Sequence, residues 1–292
     1  MNTKQSALIG NPTDHSVSDI MFHALINNTE LQYTYQHNKM SVATSEIKNT
    51  LEMLVKKNYV GLNVTLPYKR LVMEYVNKLD STAADIGAVN TIKINSGDLI
   101  GYNTDWIGLY KPIVIHSQKD NPTICIFGTG GASRAAIYAA KKISDDVYVL
   151  YRDYPKVSHA TQDLFNKQKE LGISLLPYVD VKDIVDKSDI IIHTTSTGMK
   201  GSETETPFNI DTLQDVNLKG KLFIDAVFNP VKTTLLQFFF NNGAKTIDGL
   251  WMMIYQGIFA LSIWLDEPMH IKNSDLIKIH RLLKETISCE RN

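Results

Sequence analysis

The chain lacks the features that mark secreted, metal-binding or nucleic-acid-binding proteins. Its 292 residues include only two cysteines, Cys125 and Cys289, which excludes a disulfide framework and a cysteine-based metal site. The eight histidines show no metal-site spacing, so no metal is expected. Lys and Arg number 30 against 31 Asp and Glu, so the basic excess typical of nucleic-acid binders is missing. We therefore expect no nucleic-acid partner.

Long apolar runs are also missing. Residues 1–10 have no apolar core after a basic start, so no signal peptide is expected. The most apolar segment, residues 250–264, is interrupted by polar residues and is shorter than the about 18 residues that span a membrane. These absences predict a soluble cytoplasmic protein, and 43% hydrophobic residues predict packed domains rather than a disordered chain.

The hydrophobic pattern changes near residues 106–117. Before this point, runs 91–94 and 98–101 flank an Asn-Ser-Gly turn and predict a β-hairpin. From residue 123 onward, strands alternate with helices, which predicts βαβ units and a parallel sheet. The remaining predicted strands are 7–10, 59–66, 123–127, 147–150, 173–176, 190–193, 222–225 and 244–247. The predicted helices are 19–27, 47–55, 71–76, 131–140, 155–171, 233–241, 250–265 and 275–288.

A glycine-rich turn, Gly128-Thr129-Gly130-Gly131-Ala132, directly follows a predicted strand and opens a predicted helix. Gly128 permits the tight turn, Gly130 lets a pyrophosphate approach the backbone, and the helix N-terminus offers free N–H groups. Strand, turn, helix and strand within about 30 residues predict a dinucleotide site. The alternative is a strand-to-helix turn that binds nothing.

The end of the next predicted strand bears on the choice of dinucleotide. An acidic residue there binds the 2′-hydroxyl of NAD, whereas an arginine accommodates the 2′-phosphate of NADP. Arg152, with Lys156 nearby, favours NADP, and Asp153 opposes it. We expect NADP or NAD, with a mild preference for NADP. A solvated charged loop is the alternative.

Polar side chains also gather at the ends of apolar runs in the first part of the chain. They are Asn63, Thr65, Lys69, Asn90, Asn103 and Asp105. The amides and the hydroxyl can bind substrate hydroxyls. Lys69 and Asp105 can form a proton-relay pair, in which the lysine protonates a carbonyl oxygen as hydride arrives and takes the proton back in reverse. Turn chemistry is the alternative, because Asn, Asp and Thr are common in loops for backbone reasons.

Four further residues are candidates for a binding site. Ser16 and Ser18 can bind a carboxylate, although Ser18 can equally act as a helix N-cap. Thr195 follows a predicted parallel strand, where open α/β sheets bind their ligands. Gln256 lies in an apolar helix and needs a partner when buried, which is either a substrate hydroxyl or a backbone carbonyl.

Together these motifs resemble the shikimate dehydrogenase family, including its quinate/shikimate branch, along nearly the whole chain. The segments that carry the resemblance are Gly10-Asn11-Pro12, His15-Ser16-Val17-Ser18, Asn63-Val64-Thr65, Pro67, Lys69, Gly87-Ala88-Val89-Asn90-Thr91, Gly101-Tyr102-Asn103-Thr104-Asp105, Gly128-Thr129-Gly130-Gly131-Ala132, Gly198-Met199, Asn229-Pro230, Thr233, Asp248-Gly249 and Gln256-Gly257.

The resemblance implies an α/β fold of two domains. An N-terminal substrate-binding domain comprises residues 1–105 and 250–292, with the C-terminal helices returning to it, and residues 106–249 form a Rossmann-like cofactor domain. The implied activity is NADP- or NAD-dependent interconversion of 3-dehydroshikimate and shikimate, or of dehydroquinate and quinate. We expect a monomer or a homodimer.

The resemblance also assigns roles by position. Lys69 and Asp105 are the expected catalytic pair. The expected substrate ligands are Ser16 and Ser18 for the carboxylate and Thr65, Asn90 and Gln256 for ring hydroxyls. The expected cofactor contacts are Gly128, Gly130, Gly131, Ala132, Arg152, Thr195, Met199 and Gly249.

Some positions depart from the family's pattern. They are Asp19, where proline is usual, Phe22-His23 for His-Asn, His193 for asparagine and Phe228 for tyrosine. Loss of the tyrosine hydroxyl removes a hydrogen bond worth about 1.5–3 kcal/mol for a charged acceptor. A relative acting on a different cyclic hydroxy acid is therefore one alternative, and a nucleotide-binding regulatory protein without turnover is another. Serines at both 16 and 18 slightly favour shikimate over quinate.

Overall fold

The structure, a computed structural model, describes residues 3–31, 34–152 and 158–289. Its strands are β1 (Thr3–Gly10), β2 (Thr34–Ser41), β3 (Gly61–Val64), β4 (Lys78–Leu79), β5 (Thr91–Asn95), β6 (Asp98–Tyr102), β7 (Ile124–Phe127), β8 (Val147–Tyr151), β9 (Ser174–Pro177), β10 (Ile190–His193), β11 (Leu222–Asp225) and β12 (Lys245–Ile247). Its helices are α1 (Ser18–Asn27), α2 (Ile47–Lys56), α3 (Ser81–Ile86), α4 (Asp105–His116), α5 (Gly131–Lys141), α6 (His159–Leu171), α7 (Val181–Lys187), α8 (Thr234–Asn241), α9 (Gly249–Leu265) and α10 (Asn273–Cys289).

The chain forms two compact units. Unit 1 comprises residues 1–105 and 254–292, and unit 2 comprises residues 106–253. The predicted α/β class with two domains is confirmed. No helix within the described ranges is long and apolar enough to cross a membrane.

Unit 1 is built on a mixed sheet with the strand order β2-β1-β3-β5-β6-β4. β1 pairs in parallel with β2 and β3, whereas β5 is antiparallel to both β3 and β6. The β5–β6 connection confirms the predicted hairpin. Ser96 and Gly97 have φ of 50° and 92°, the left-handed conformation that a tight turn between twisted strands requires.

The C-terminal helix α9 packs on the sheet of unit 1, and the chain from residue 254 onward belongs to this unit. Trp264 of α9 donates a hydrogen bond from Nε1 to the backbone oxygen of Ile92 at 3.0 Å. A Cβ on Gly61 in β3 would lie 2.2 Å from the Trp264 ring, so glycine is what allows the helix to approach this strand. The predicted return of the C-terminal helices to the N-terminal domain is therefore confirmed.

Unit 2 is built on an all-parallel sheet with the strand order β12-β11-β10-β7-β8-β9. Every residue of β7, β10 and β11 is buried, as expected for strands covered by helices on both faces. The strand order reverses between β7 and β10. Open α/β sheets bind ligands at the carboxyl ends of the strands at such a switch point, which here places the residues after β7 and β10 side by side.

Several local predictions differ from the structure. The sequence pattern does not predict β2, β4, α3 and α7, because β2 is largely polar and the others are short. The predicted helix 71–76 is a 3-10 helix, Leu71–Glu74, and the predicted strand 59–66 is confined to β3. The helix predicted from Pro155 begins at His159, and Pro155 itself lies outside the described residues.

Candidate active site

Lys69 and Asp105 form a close ion pair in unit 1. Lys69 Nζ donates a hydrogen bond to Asp105 Oδ2 at 2.6 Å. Their side chains are only 16% and 6% exposed, so water screens the pair little. Asp105 is the first residue of α4, where the positive end of the helix dipole stabilises a carboxylate. The structure therefore brings together the two residues predicted to form the proton relay.

Asn90 holds the other oxygen of this carboxylate. Its Nδ2 donates to Asp105 Oδ1 at 2.7 Å and to Thr104 Oγ1 at 3.0 Å. Its Oδ1 accepts from the Thr104 backbone N–H at 2.7 Å and from Thr91 Oγ1 at 3.0 Å. Because Asn90 is buried and both amide hydrogens are engaged, it fixes the orientation of Asp105.

Three further residues complete this polar network. Gln256 Oε1 of α9 accepts from Thr104 Oγ1 at 3.2 Å and lies 3.4 Å from Asn90 Nδ2. Asn63 of β3 donates to Thr91 Oγ1 at 3.0 Å. Asn103 Oδ1 accepts from the Asp105 backbone N–H at 3.1 Å. Thr91 and Thr104 are not among the predicted site residues, yet they support those residues through buried hydroxyls.

Thr65 directly follows β3, four residues before Lys69. Its backbone N–H donates to Ile9 at 2.9 Å, and its backbone oxygen accepts from Tyr68 at 3.0 Å. A Cβ on Gly10 would lie 2.3 Å from Thr65 Cγ2 and 3.2 Å from Thr13 Cγ2. Gly10 thus leaves room for the methyl groups of Thr65 and of Thr13, where a turn begins with the hydrogen bond from the Ser16 backbone N–H to the Thr13 backbone oxygen.

That turn carries Ser16 and Ser18. The Ser18 backbone N–H donates to Ser16 Oγ at 3.2 Å. Ser18 is the first residue of α1, and the N-cap position belongs to Val17, so the interpretation of Ser18 as an N-cap is wrong. Ser18 Oγ is buried and has no hydrogen-bond partner within the described part of the chain. A buried hydroxyl without a partner calls for an acceptor, which an ordered water or a bound ligand can supply.

The glycine-rich turn follows β7 in unit 2. Gly128 has φ of 110°, a left-handed conformation, and a Cβ there would lie 2.9 Å from Thr195 Cγ2. Gly130 is the N-cap of α5, whose N-terminus receives no side-chain cap. A Cβ on Gly130 would meet nothing within 4 Å, so the space beside the helix N-terminus is open. The uncapped N–H groups and this space fit a pyrophosphate. Gly131 and Ala132 begin the helix, half-buried.

Arg152 directly follows β8 and is exposed. Burial raises the pKa of Tyr178, whereas the positive charge of Arg152 lowers it. Arg152 therefore lies close enough to Tyr178 to interact with it electrostatically. Asp153 and Lys156, which bear on the predicted choice between NAD and NADP, lie outside the described residues.

Thr195 belongs to a buried polar group at the carboxyl ends of β10 and β11. His193 Nε2 lies 2.5 Å from Thr195 Oγ1, and His193 Nδ1 lies 2.9 Å from Asp225 Oδ1. Thr195 Oγ1 also bonds with Thr197 Oγ1 at 2.9 Å, and Thr233 Oγ1 donates to Asp225 Oδ2 at 2.6 Å. The sequence marks His193 only as a departure from the family's pattern and does not predict a role for Asp225.

Met199 and Gly249 occupy different environments. Met199 is half-buried in the turn after β10, and its backbone N–H donates to Ser196 at 3.2 Å. A Cβ on Gly249 would lie 2.4 Å from the backbone oxygen of Val227, so this glycine has a packing role.

Within the described ranges, no group of three or more His, Cys, Asp or Glu residues has an arrangement that holds a metal ion.

Comparisons with known proteins show what this chain is similar to. The family model for the shikimate dehydrogenase substrate binding domain matches residues 8–92. A shikimate dehydrogenase (NADP(+)) of Methanococcus vannielii is 34% identical over 260 residues, which cover 88% of this chain and 89% of that protein. A solved shikimate dehydrogenase in complex with NADP+ has a TM-score of 0.80 at 30% identity, covering 99% of this chain and 96% of that one. A shikimate 5-dehydrogenase of Listeria monocytogenes, solved with shikimate and NAD, has a TM-score of 0.79 at 26% identity, with 98% and 96% coverage.

Proposed function

The chain belongs to the shikimate dehydrogenase family, and on that premise we propose that it interconverts 3-dehydroshikimate and shikimate with NADP. The observation that carries this proposal is the buried pair of Lys69 and Asp105, joined at 2.6 Å and braced by Asn90 at 2.7 Å. A protein that only binds nucleotides has no need of such a pair, which argues against a regulatory protein without turnover.

Reduction of a planar ketone needs hydride at the carbon and a proton at the oxygen. A bound nicotinamide dinucleotide supplies the hydride in this direction and accepts it in the other. Lys69 Nζ donates the proton to the carbonyl oxygen and takes it back during oxidation. Asp105 and Asn90 keep the Lys69 ammonium group in one position, which lowers the entropic cost of reaching a reactive geometry.

We propose that residues of unit 1 bind the substrate. Ser16 and Ser18 bind the carboxylate, which gives the unpartnered Ser18 hydroxyl an acceptor. Thr65 and Gln256 bind ring hydroxyls. We assign Asn90 chiefly to holding Asp105, because both of its amide hydrogens are already donated within the network.

We propose that residues of unit 2 bind the cofactor. The backbone from Gly128 to Ala132 would hold the pyrophosphate at the uncapped N-terminus of α5. Arg152 would meet the 2′-phosphate at the adenosine end, which favours NADP over NAD. Thr195, Met199 and Gly249 stay predicted cofactor neighbours. The hydroxyl of Thr195 is engaged with His193 and Thr197, so we propose that its methyl group faces the cofactor.

The proposal is tested by mixing purified protein with shikimate or quinate, each with NADP+ or NAD+, and following the absorbance of the reduced nicotinamide. We expect the strongest signal with shikimate and NADP+. A clear advantage of quinate in kcat/KM would reverse the substrate assignment. Silence in all four mixtures, with cofactor binding measured separately, would contradict the proposal and favour a different hydroxy acid, as Phe228 allows.

The role of Lys69 is tested by Lys69→Ala. Loss of the proton donor should lower kcat by about 10²–10⁴-fold, as expected for a general acid. The affinity for NADPH, measured by fluorescence titration, should stay within about twofold because Lys69 belongs to the substrate groups. Lys57→Ala removes an exposed lysine of the same unit and should change neither quantity. Near-full activity of Lys69→Ala would show that another group moves the proton.

The cytoplasmic location, the lack of a nucleic-acid partner and the oligomeric state, monomer or homodimer, stay predictions.

A further inference from the structure

A charged pair flanks the turn that carries Ser16 and Ser18. Lys39, on β2, donates from Nζ to the backbone oxygen of Ser16 at 2.8 Å. The same Nζ lies 3.5 Å from Asp19 Oδ1, the distance of an ion pair rather than of a strong hydrogen bond. The side chains of Lys39 and Asp19 are 27% and 38% exposed, so water screens both charges only in part.

The turn itself offers hydrogen-bond donors to an anion. Ser16 Oγ accepts from the Ser18 backbone N–H, which leaves the Ser16 hydroxyl hydrogen for another acceptor. Ser18 Oγ is buried without a hydrogen-bond partner in the described ranges. Two hydroxyl donors on a turn whose Ser16 backbone oxygen holds the Lys39 ammonium group suit a carboxylate ligand.

Asp19 opposes the binding of an anion at this turn. Its Oδ1 makes no hydrogen bond to the described residues and lies 3.5 Å from Lys39 Nζ, which puts a negative charge beside the turn. Lys39 therefore attracts an anion bound at Ser16 and Ser18, and Asp19 repels it. With partial screening, one unit charge at this range changes the affinity for an anion by roughly three- to tenfold.

We propose that Lys39 and Asp19 determine how strongly the chain distinguishes a charged substrate from a neutral one, with Lys39 strengthening and Asp19 weakening the binding of the substrate carboxylate. This inference rests on the proposed function, since it takes the carboxylate of shikimate as the ligand of the turn. Neither residue moves the proton, so both act on binding.

The test compares shikimate with its methyl ester, which keeps the ring and lacks the charge. Dissociation constants are measured by calorimetry without cofactor. Lys39→Met should raise the Kd for shikimate roughly tenfold, and Asp19→Asn should lower it roughly threefold. Both variants should leave the Kd for the ester within about twofold, because the ester carries no charge.

Two controls match the charge changes on the exposed surface of the same unit. Lys48→Met and Asp85→Asn remove one charge each from exposed positions of α2 and α3 and should leave both dissociation constants unchanged. Lys39→Arg keeps the charge and should keep the affinity for shikimate within about threefold.

The outcomes separate this inference from the proposed function. If Lys39→Met weakens acid and ester equally, Lys39 only holds the turn in shape and the charge-pair inference is overturned. An unchanged Kd for shikimate in Lys39→Met overturns it as well, while wild-type binding leaves the proposed function standing. If the wild-type protein binds neither compound, the proposed function and this inference both fail.

Discussion

Gly249 and Gly130 are both predicted cofactor contacts, but their surroundings differ. A Cβ on Gly249 would lie 2.4 Å from the backbone oxygen of Val227 and 2.8 Å from the nitrogen of Phe228. A Cβ on Gly130 would meet nothing within 4 Å, and its φ of −79° with extended ψ is accessible to alanine. Gly249 is therefore required for packing, whereas Gly130 keeps space open beside the N-terminus of α5.

We expect Gly249→Ala to destabilise the protein and Gly130→Ala to weaken cofactor binding. Overpacking against backbone at Gly249 should cost about 1–3 kcal/mol, which lowers Tm by roughly 2–5 °C in a chain of this size. Gly130→Ala should leave Tm within about 1 °C but raise the Kd for NADPH at least about tenfold, because its methyl group occupies the proposed pyrophosphate position. Thermal unfolding and fluorescence titration measure the two quantities. A Tm loss in Gly130→Ala equal to that in Gly249→Ala would contradict this distinction.

At the scale of elements, two helices of unit 2 begin with capping hydroxyls that differ in their second partner. Ser158 caps α6 from an exposed position by accepting from the Thr161 backbone N–H at 3.2 Å. Thr233 caps α8 by accepting from Leu236 at 3.0 Å, and it also donates to Asp225 Oδ2 at 2.6 Å while only 1% exposed. The cap of α8 thus also satisfies the carboxylate that faces His193.

Thr233→Ala should therefore cost more stability than Ser158→Ala. Loss of an exposed cap costs about 1 kcal/mol. Thr233→Ala removes a cap and also a hydrogen bond to a buried carboxylate, for a total of about 2–4 kcal/mol. Thr233→Ser keeps the hydroxyl and should recover most of the loss. Chemical denaturation of the three variants measures these differences, and equal losses for the two alanine variants would contradict the double role of Thr233.

At the scale of the whole molecule, one buried group links stability to pH. Ser6 Oγ lies 2.6 Å from Tyr35 Oη and 2.7 Å from His37 Nδ1, and all three side chains are buried between β1 and β2. Burial lowers the pKa of His37 to about 3, and the charge of Lys39 adds to this shift. In the unfolded chain, the pKa of histidine is about 6.5.

The sign of the effect follows from proton binding. Below about pH 6.5 the unfolded chain binds a proton at His37, whereas the folded chain does so only near pH 3. The contribution of His37 to the free energy of unfolding is therefore complete above about pH 6.5. It decreases as the pH falls from about 6.5 towards about 3. The slope from this residue is up to about 1.4 kcal/mol per pH unit.

His37→Phe should remove this contribution. Phenylalanine keeps the ring that packs on Phe22 at 4.4 Å, and Ser6 keeps Tyr35 as its partner. Between about pH 7 and about pH 5, the wild-type protein should lose roughly 2 kcal/mol more stability than the variant. Urea unfolding followed by tryptophan fluorescence measures both, with the exposed His23→Gln as control. Identical pH dependence in wild type and His37→Phe would contradict a neutral buried His37.

Much of this architecture was predictable from local patterns. The strands of unit 2 are continuous apolar runs because the sheet is covered on both faces, and such runs predict buried strands. The Asn-Ser-Gly turn predicts a hairpin because few residues accept positive φ. Lys69 and Asp105 were predictable as a pair because both types carry proton chemistry at the ends of apolar runs. Their predicted catalytic role stays a prediction, although the structure brings them within 2.6 Å.

The amino-acid sequence by itself determined the α/β class, the glycine-rich turn and the candidate proton relay, since each depends on residue type and short-range spacing. Only the tertiary structure decided which distant residues meet. The polar strand β2 carries no strong local signal, yet its pairing with β1 brings Lys39 to Ser16. The register of β10 against β11 likewise sets His193 opposite Asp225. Such contacts depend on strand order and register, which are set by burial across the whole sheet rather than by neighbours in the chain.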